Sequence, residues 1–410
     1  MNKKTILATC YAVNPYKGSE DAMGWNFVKQ IARYNNVIAV TRKNNRSAIE
    51  KYIMENPNPL YKNMSFLYFD LPYWLRFWKK GSHMAMVYYY FWQKGIIPFI
   101  QKTNISFDIA HNVNFHNDWT PSFLWKLNKP MVWGPVGHHP IIPSQYLQAY
   151  SNRHLWIDRL TWAIKKMSWK YSPALQKTKR KAAHIWCMNT QVPQKLQLSS
   201  ERFSIFPSVA SEDFGAEIET STKSETYHVI SAGRFVPLKG FDLTLSSFIT
   251  FLDTVPASEK HKCKLTIVGS GPQKDRLLKI IREYKVQQYV ELLEWVERKA
   301  LMKYFAKASV FLFPSHEGAG MVVAEALSFG LPVICLGNEG PGQFINKECG
   351  FAIPHQSYAK TVVALQEALH KLYADRTLLH EMGTAARKLY LQKFTWESRG
   401  EYLNKIYNDL

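Results

Sequence analysis

Two short stretches of the chain carry residue types able to do chemistry together. In "EGAGMVVAE", Glu317 and Glu325 stand eight residues apart around a turn of small residues. In "GRFVPLKGFD", Arg234 and Lys239 bracket a turn that opens a helix at Gly240. Two cations beside a helix N-terminus can cradle a diphosphate. Paired carboxylates can act as acid and base, or can hold a bound group. Taken alone, the acidic stretch is more simply two solvated acids at a helix start; the cations make a cleft-facing role the sharper alternative. The helix begins near Gly320 or Met321, so the amides of Gly320, Met321 and Val322 are unpaired first-turn donors suited to phosphate oxygens or sugar hydroxyls. Glu325 then lies about one turn inside. In "VGSGPQKD", Gly269 and Gly271 permit a tight strand-to-helix turn and close backbone approach to a ligand. Any such turn can use this pattern, so the pair says little by itself.

The first half offers histidines. "HNVNFHNDWTPSFLW" carries His111 and His116 where a strand gives way to a loop, with Asp118 close enough in sequence to tune proton transfer by a histidine. An ordinary loop or core histidine remains the competing account. "WGPVGHHP" brings His138 and His139 to the same sheet edge, and "NPYKGSEDAMGWNFV" places Gly18 ahead of a helical pattern. No Cys, His or Asp set has recognisable zinc spacing, so no metal site is expected. The five cysteines, at positions 10, 187, 263, 335 and 349, form no C-x-x-C pair. Reduced thiols in a cytoplasmic protein are the expectation.

The net charge of +20 favours anionic partners. It is uneven. From Arg153 to Lys181, nine cations face the single acid Asp158, interleaved with Trp156, Trp162, Trp169 and Tyr171. "LPYWLRFWKKGSHMAMVYYYFWQKGIIPFI" (71–100) mixes aromatics and cations with no acid. That composition suits a bilayer interface, so peripheral contact with the cytoplasmic membrane face is expected; a solvated basic helix over an aromatic core is the alternative. Nucleic acid is not an expected partner, since no recognition motif accompanies the charge. The opening "MNKKTILATCYAV" reads as a buried first strand rather than a leader, and no uncharged apolar run is long enough to span a bilayer.

Short apolar runs alternate with helical patterns throughout. Strands are expected at 5–13, 37–41, 64–69, 107–113, 130–136, 183–188 and 203–206, then at 228–233, 264–269, 290–296, 310–313, 332–336 and 350–353. Helices fall between most of them, among them 240–252, 273–285, 297–307 and 321–329. Apolar strands separated by helices indicate parallel sheets covered on both faces, here two doubly wound α/β domains. The polar segment 210–227 is placed as the linker, and 376–410 reads as helices. Ligands of such sheets bind beyond the carboxyl ends of the strands, where all of the residues above collect.

"GRFVPLKGFD", "VGSGP" and "EGAGMVVAEALSFGLPVI", in that order, resemble the retaining GT-B glycosyltransferases of family four. "NPYKGSEDAMGWNF", "PSFLW", "WGPVG" and "LGNEGPGQFINKECGFAIP" resemble bacterial members that build cell-surface polysaccharide. The resemblance implies two Rossmann-like domains facing across a cleft: an acceptor domain, 1–209, on which 395–410 packs back, and a donor domain, 210–394. It implies transfer of a sugar from a UDP- or GDP-sugar, without metal, to a glycan or lipid-linked oligosaccharide. By resemblance, Arg234 and Lys239 neutralise the diphosphate, Glu317 holds the sugar and Glu325 the ribose. The backbone at Gly320–Val322 meets phosphate and sugar, the segment at Trp295 and Val296 meets the base, and Gly18 passes near the diphosphate. His116 matches the family's active-site histidine. Ala319 stands where the family has a bulky aromatic residue, and His138 and His139 interrupt its usual glycine run, so the sugar pocket and acceptor contacts are expected to differ. A nucleotide-sugar epimerase on the same fold and a non-catalytic nucleotide-sugar-binding protein are the alternatives.

Overall fold

The computed structural model describes residues 3–79, 81, 84–115, 117–147, 152–216, 225–294 and 296–410. Contacts divide the chain into two units. Unit 1 comprises Met1–His138, Ala163–Ser208 and Trp396–Leu410; unit 2 comprises His139–Trp162 and Val209–Thr395.

Unit 1 holds seven strands: β1 (Thr5–Thr9), β2 (Asn36–Thr41), β3 (Met64–Tyr68), β4 (Ile109–Asn112), β5 (Met131–Val136), β6 (His184–Cys187) and β7 (Phe203–Ile205). All pair in parallel, in the order β3-β2-β1-β4-β5-β6-β7. The segment read as a buried first strand is thus an interior strand of the sheet, between β2 and β4. Helices α1 (Ser19–Tyr34), α2 (Arg46–Glu55), α3 (Ala85–Lys102), α4 (Asn152–Tyr171), α5 (Pro173–Lys181) and α6 (Gln191–Leu196) follow in chain order. The contact division falls within α4, after Trp162.

Unit 2 holds β8 (Tyr227–Ala232), β9 (Cys263–Val268), β10 (Val290–Leu293), β11 (Val310–Phe313), β12 (Val333–Leu336) and β13 (Gly350–Ile353). Again all are parallel, in the order β10-β9-β8-β11-β12-β13. Its helices are α7 (Phe241–Thr254), α8 (Lys274–Glu283), α9 (Arg298–Lys307), α10 (Met321–Ser328), α11 (Tyr358–Ala374) and α12 (Arg376–Lys393). The last helix, α13 (Trp396–Asn408), belongs to unit 1 and packs on α1. Every expected strand overlaps an observed one, because a strand buried on both faces must read as an apolar run. β8 and β11 are buried along their whole length. Both units are Rossmann-like, and all five cysteines are buried free thiols.

One expectation is corrected. Residues 139–162 were placed in the first domain, but they cluster with unit 2. The side chains explain why: Ile142, Tyr146 and Leu147 join its core, and the Tyr146 hydroxyl donates to the Gln356 carbonyl at 2.9 Å. The expected linker also begins late. Ser211 bridges Thr395 in parallel, and its amide donates to the Phe394 carbonyl at 3.0 Å.

Candidate active site

Strand order reverses between β8 and β11, which are neighbours although two strands separate them in sequence. The loops leaving them diverge there, and such a switch point is where open parallel sheets bind ligands. In unit 2 the two loops are bound to each other. The His316 amide donates to the Leu238 carbonyl at 2.9 Å, and Ser315 Oγ donates to the same oxygen at 3.2 Å. Gly240 has φ +65°, and a Cβ there would lie 2.1 Å from the Pro314 carbonyl oxygen. Only glycine fits that approach. The consequence is that Lys239 Nζ reaches Glu317 Oε2 at 2.5 Å, with both side chains largely buried. The ammonium also lies 5.1 Å from the centroid of the Phe313 ring. Arg234, five residues earlier on the same loop, is exposed.

The Glu317 backbone is held on several sides. Its amide donates to Ser315 Oγ at 3.1 Å, and the next amide, of Gly318, donates to His139 Nδ1 at 3.0 Å. Asn338 Nδ2 donates to the Ser315 carbonyl at 2.7 Å. Beneath the loop, His316 and His355 stack with centroids 5.3 Å apart, and Tyr146 meets His316 edge-on. Burial, and to a lesser degree the neighbouring His355, lowers the His316 imidazole to about 3, so it is neutral at ordinary pH.

α10 follows. Helices α11 and α12 start with side-chain caps from Ser357 and Asp375, whereas α10 starts on Gly320 with none. Among the described residues, its first-turn amides at Met321 and Val322 have no intrahelical or side-chain capping partner. One turn on, Glu325 is buried, and its Oε1 lies 2.7 Å from Arg298 Nη2. Burial raises the Glu325 carboxyl above the usual carboxylate range; Arg298 opposes this and Glu212 adds to it.

The structure thus brings Lys239 and Glu317 into contact, and sets Gly320, Met321, Val322 and Glu325 along the helix that leaves their loop. It gives Gly269 and Gly271 a different reason from the one expected. A Cβ on Gly269 would lie 1.8 Å from the Gly233 carbonyl oxygen, and one on Gly271 would lie 2.7 Å from that of Phe235. These glycines let the loops after β8 and β9 pack on each other, with the Phe235 amide donating to the Ser270 carbonyl at 2.8 Å. Val296 is half-buried and packs on the core cluster that includes Phe311 and Phe313. Trp295 and His116 lie outside the described residues.

In unit 1, Gly18 precedes α1 on the surface, and a Cβ there would meet nothing within 4 Å. Asp118, expected near a loop histidine, pairs instead with His138 Nδ1 at 2.7 Å, both side chains buried. His111 is fully buried. The Gly134 carbonyl can only accept, so Nε2 carries the hydrogen across their 2.8 Å contact, and Nδ1 accepts from the Tyr407 hydroxyl at 2.6 Å. Burial lowers this imidazole to about 4. Sequence reasoning missed Arg298. It sits at the start of α9, just beyond β10, so the strand-end rule that found the others would have found it too.

Residues 215–389 match the family model "Glycosyl transferases group 1". The match lies within unit 2. Among curated proteins, the chain is 27% identical over 187 residues to a GDP-mannose-dependent alpha-(1-6)-phosphatidylinositol monomannoside mannosyltransferase of Mycolicibacterium smegmatis, covering 43% of this chain and 47% of that one. The chain spans about half the length of the curated mannosyltransferases it matches. Among solved structures it is similar to WaaG, a glycosyltransferase involved in lipopolysaccharide biosynthesis, with TM-score 0.63, 17% identity, and coverage of 98% of this chain and 99% of that one. It is also similar to Anabaena HepE in complex with UDP and glucose, with TM-score 0.62, 13% identity, and coverage of 99% and 100%. The fold of the chain is GT-B, as its sequence motifs imply.

Proposed function

We propose that this chain is a retaining glycosyltransferase that moves a sugar from a nucleotide-diphosphate sugar to a glycan or lipid-linked glycan in cell-surface polysaccharide or glycolipid synthesis. The observation that carries the reading is the Lys239–Glu317 contact at the switch point of unit 2, beside the uncapped start of α10. Arg234 and Lys239 place positive charge where a diphosphate leaves, and the first-turn amides of α10 add the positive end of a helix dipole. Glu317, fixed through its own and the following amide, accepts hydrogen bonds from sugar hydroxyls. Glu325 does the same for the ribose, and Gly18 is assigned to the diphosphate by motif. Val296 bounds the base, and Gly269 and Gly271 shape the loop beside it.

Charge supplied in this way makes the nucleotide diphosphate a good leaving group without a metal or a second catalytic carboxylate. The bond from the anomeric carbon to the phosphate oxygen breaks, and the acceptor oxygen bonds that carbon on the same face. The acceptor's proton passes to the departing phosphate. His116 is placed near the sugar by motif. We place the reaction in the cytoplasm, with peripheral contact at the inner membrane face.

The mycobacterial relative is named for GDP-mannose and the Anabaena structure holds UDP with glucose, so both nucleotides belong in the test. A true donor raises the melting temperature of the chain, because it binds only the folded form. Transfer to an acceptor should then follow, and Arg234→Ala should abolish most of it. Near-normal transfer by that variant would overturn the assignment. Conversion of donor without acceptor would indicate an epimerase, and saturable binding without turnover a non-catalytic protein.

A further inference from the structure

Helix α4 has two faces of opposite character. Leu155, Trp162 and Trp169, seven residues apart, turn inward. Leu155 packs against the core of unit 2, Trp162 is buried, and Trp169 packs against the core of unit 1 while its Nε1 donates to the Asp118 carbonyl at 3.1 Å. The other face carries Trp156, Leu160, Ile164, Met167 and Tyr171 at spacings of four, four, three and four residues. That spacing puts them in one row along the helix. All five are exposed, between 49% and 75%. Single apolar residues on a surface are ordinary, but a contiguous row along one helix marks an interaction site.

Charge selects the partner. Between 163 and 181 the chain has seven Lys or Arg and no acid. Lys166 and Lys170 on α4, and Lys177, Arg180 and Lys181 on α5, are exposed. A second copy of this chain, itself carrying +20, would set these cations against their own kind. A nucleic acid would satisfy the cations and leave the apolar row in water. An anionic bilayer surface satisfies both, since the row enters the headgroup–acyl boundary while the ammonium and guanidinium groups meet lipid phosphate. The segment 71–100 shares this composition: Tyr88, Tyr89 and Trp92 are buried in the core, while Tyr73, Trp74 and Phe77 are exposed.

We infer that the exposed face of α4, with the cations of α4 and α5, docks the protein on an anionic phospholipid surface. The inference needs no step of the proposed sugar transfer. Co-sedimentation of the full chain with vesicles tests it, comparing phosphatidylcholine alone with phosphatidylcholine containing about one-third phosphatidylglycerol. Binding is expected on the anionic vesicles and not on the neutral ones. The double variant Leu160→Glu, Met167→Glu should weaken it by about ten-fold or more. Lys166→Gln with Lys170→Gln should weaken it by about five-fold for each cation and flatten its salt dependence. Unchanged melting temperatures would show that both variants fold, and a retained shift with nucleotide sugar would separate lipid docking from donor binding. Anionic-vesicle binding indifferent to both double variants, or equal binding to neutral vesicles, would overturn the inference. So would a dimer dissociated by the glutamate variants, or duplex DNA binding lost only with the lysines.

Discussion

The two units repeat one architecture and finish it with opposite chemistry. At the carboxyl edge of the unit 2 sheet the side chains are charged and paired across loops, Lys239 with Glu317 and Arg298 with Glu325. At the corresponding edge of unit 1, between β1 and β4, the described groups are structural. Asn114 Nδ2 donates to the Ala12 carbonyl at 2.6 Å, and His111 is locked between a carbonyl and a hydroxyl. A parallel sheet supplies the same diverging loops in both places. The difference is that the unit 2 loops carry cations paired with carboxylates, while His111 and Asn114 in unit 1 hold their own loops together.

The sharpest way to break that contrast is at the exposed cation. Arg234→Ala should lower kcat/KM for transfer by about 10²–10³-fold, the loss typical of a donor aimed at developing charge. His111→Gln in unit 1 should leave kcat/KM within about three-fold, since a group that only holds structure contributes no transition-state charge. Steady-state kinetics on the two variants checks both.

Arg298→Ala comes next. It removes the partner of a buried carboxylate, so Glu325 should rise further above the usual range, and KM for the nucleotide sugar should increase by about ten-fold with a smaller change in kcat. An unchanged KM would detach Glu325 from the nucleotide.

The neutral histidine gives unit 1 its own pH signature. His111 protonates near 6.5 when exposed and only at about 4 when folded. Below pH 6.5 the unfolded state therefore binds the proton first, and stability falls toward pH 4 by up to about 1.4 kcal/mol per unit. Hydrogen exchange of the β1 amides, compared between the native chain and His111→Gln, should show this slope in the native chain and lose it in the variant. The smallest effect belongs to His139. Removing the acceptor of the Gly318 amide by His139→Ala should lower kcat/KM by about five-fold, the worth of one hydrogen bond, with unchanged melting temperature.

The strands were legible because burial on both faces leaves a continuous apolar run, and the Lys239–Glu317 pair because each residue follows a strand end. Other features depend on distance in the folded chain rather than on local pattern. Arg298 meets Glu325 from 27 positions away in sequence, so no spacing rule joins them. Asp118 lies near His116 in sequence but pairs with His138, which returns along the neighbouring strand. The backbone of another loop leaves no room for a Cβ on Gly269 or Gly271, a contact that the local pattern does not show. "GHHP" gave no sign that its two histidines would belong to different units, His138 to the first and His139 to the second.

The threading of the chain also sets an order of events at the ribosome. Every segment of unit 2 has been made once Thr395 is added, but unit 1 still lacks Trp396–Leu410. Domains fold as units during synthesis, so the half begun first is the half finished last. His111 waits for Tyr407, 296 residues later, before its ring has both partners, and Lys4 Nζ waits for the Tyr407 carbonyl at 2.5 Å. A ribosome that stalls or stops just past residue 395 therefore releases a chain with unit 2 entire and its opening sheet unsealed.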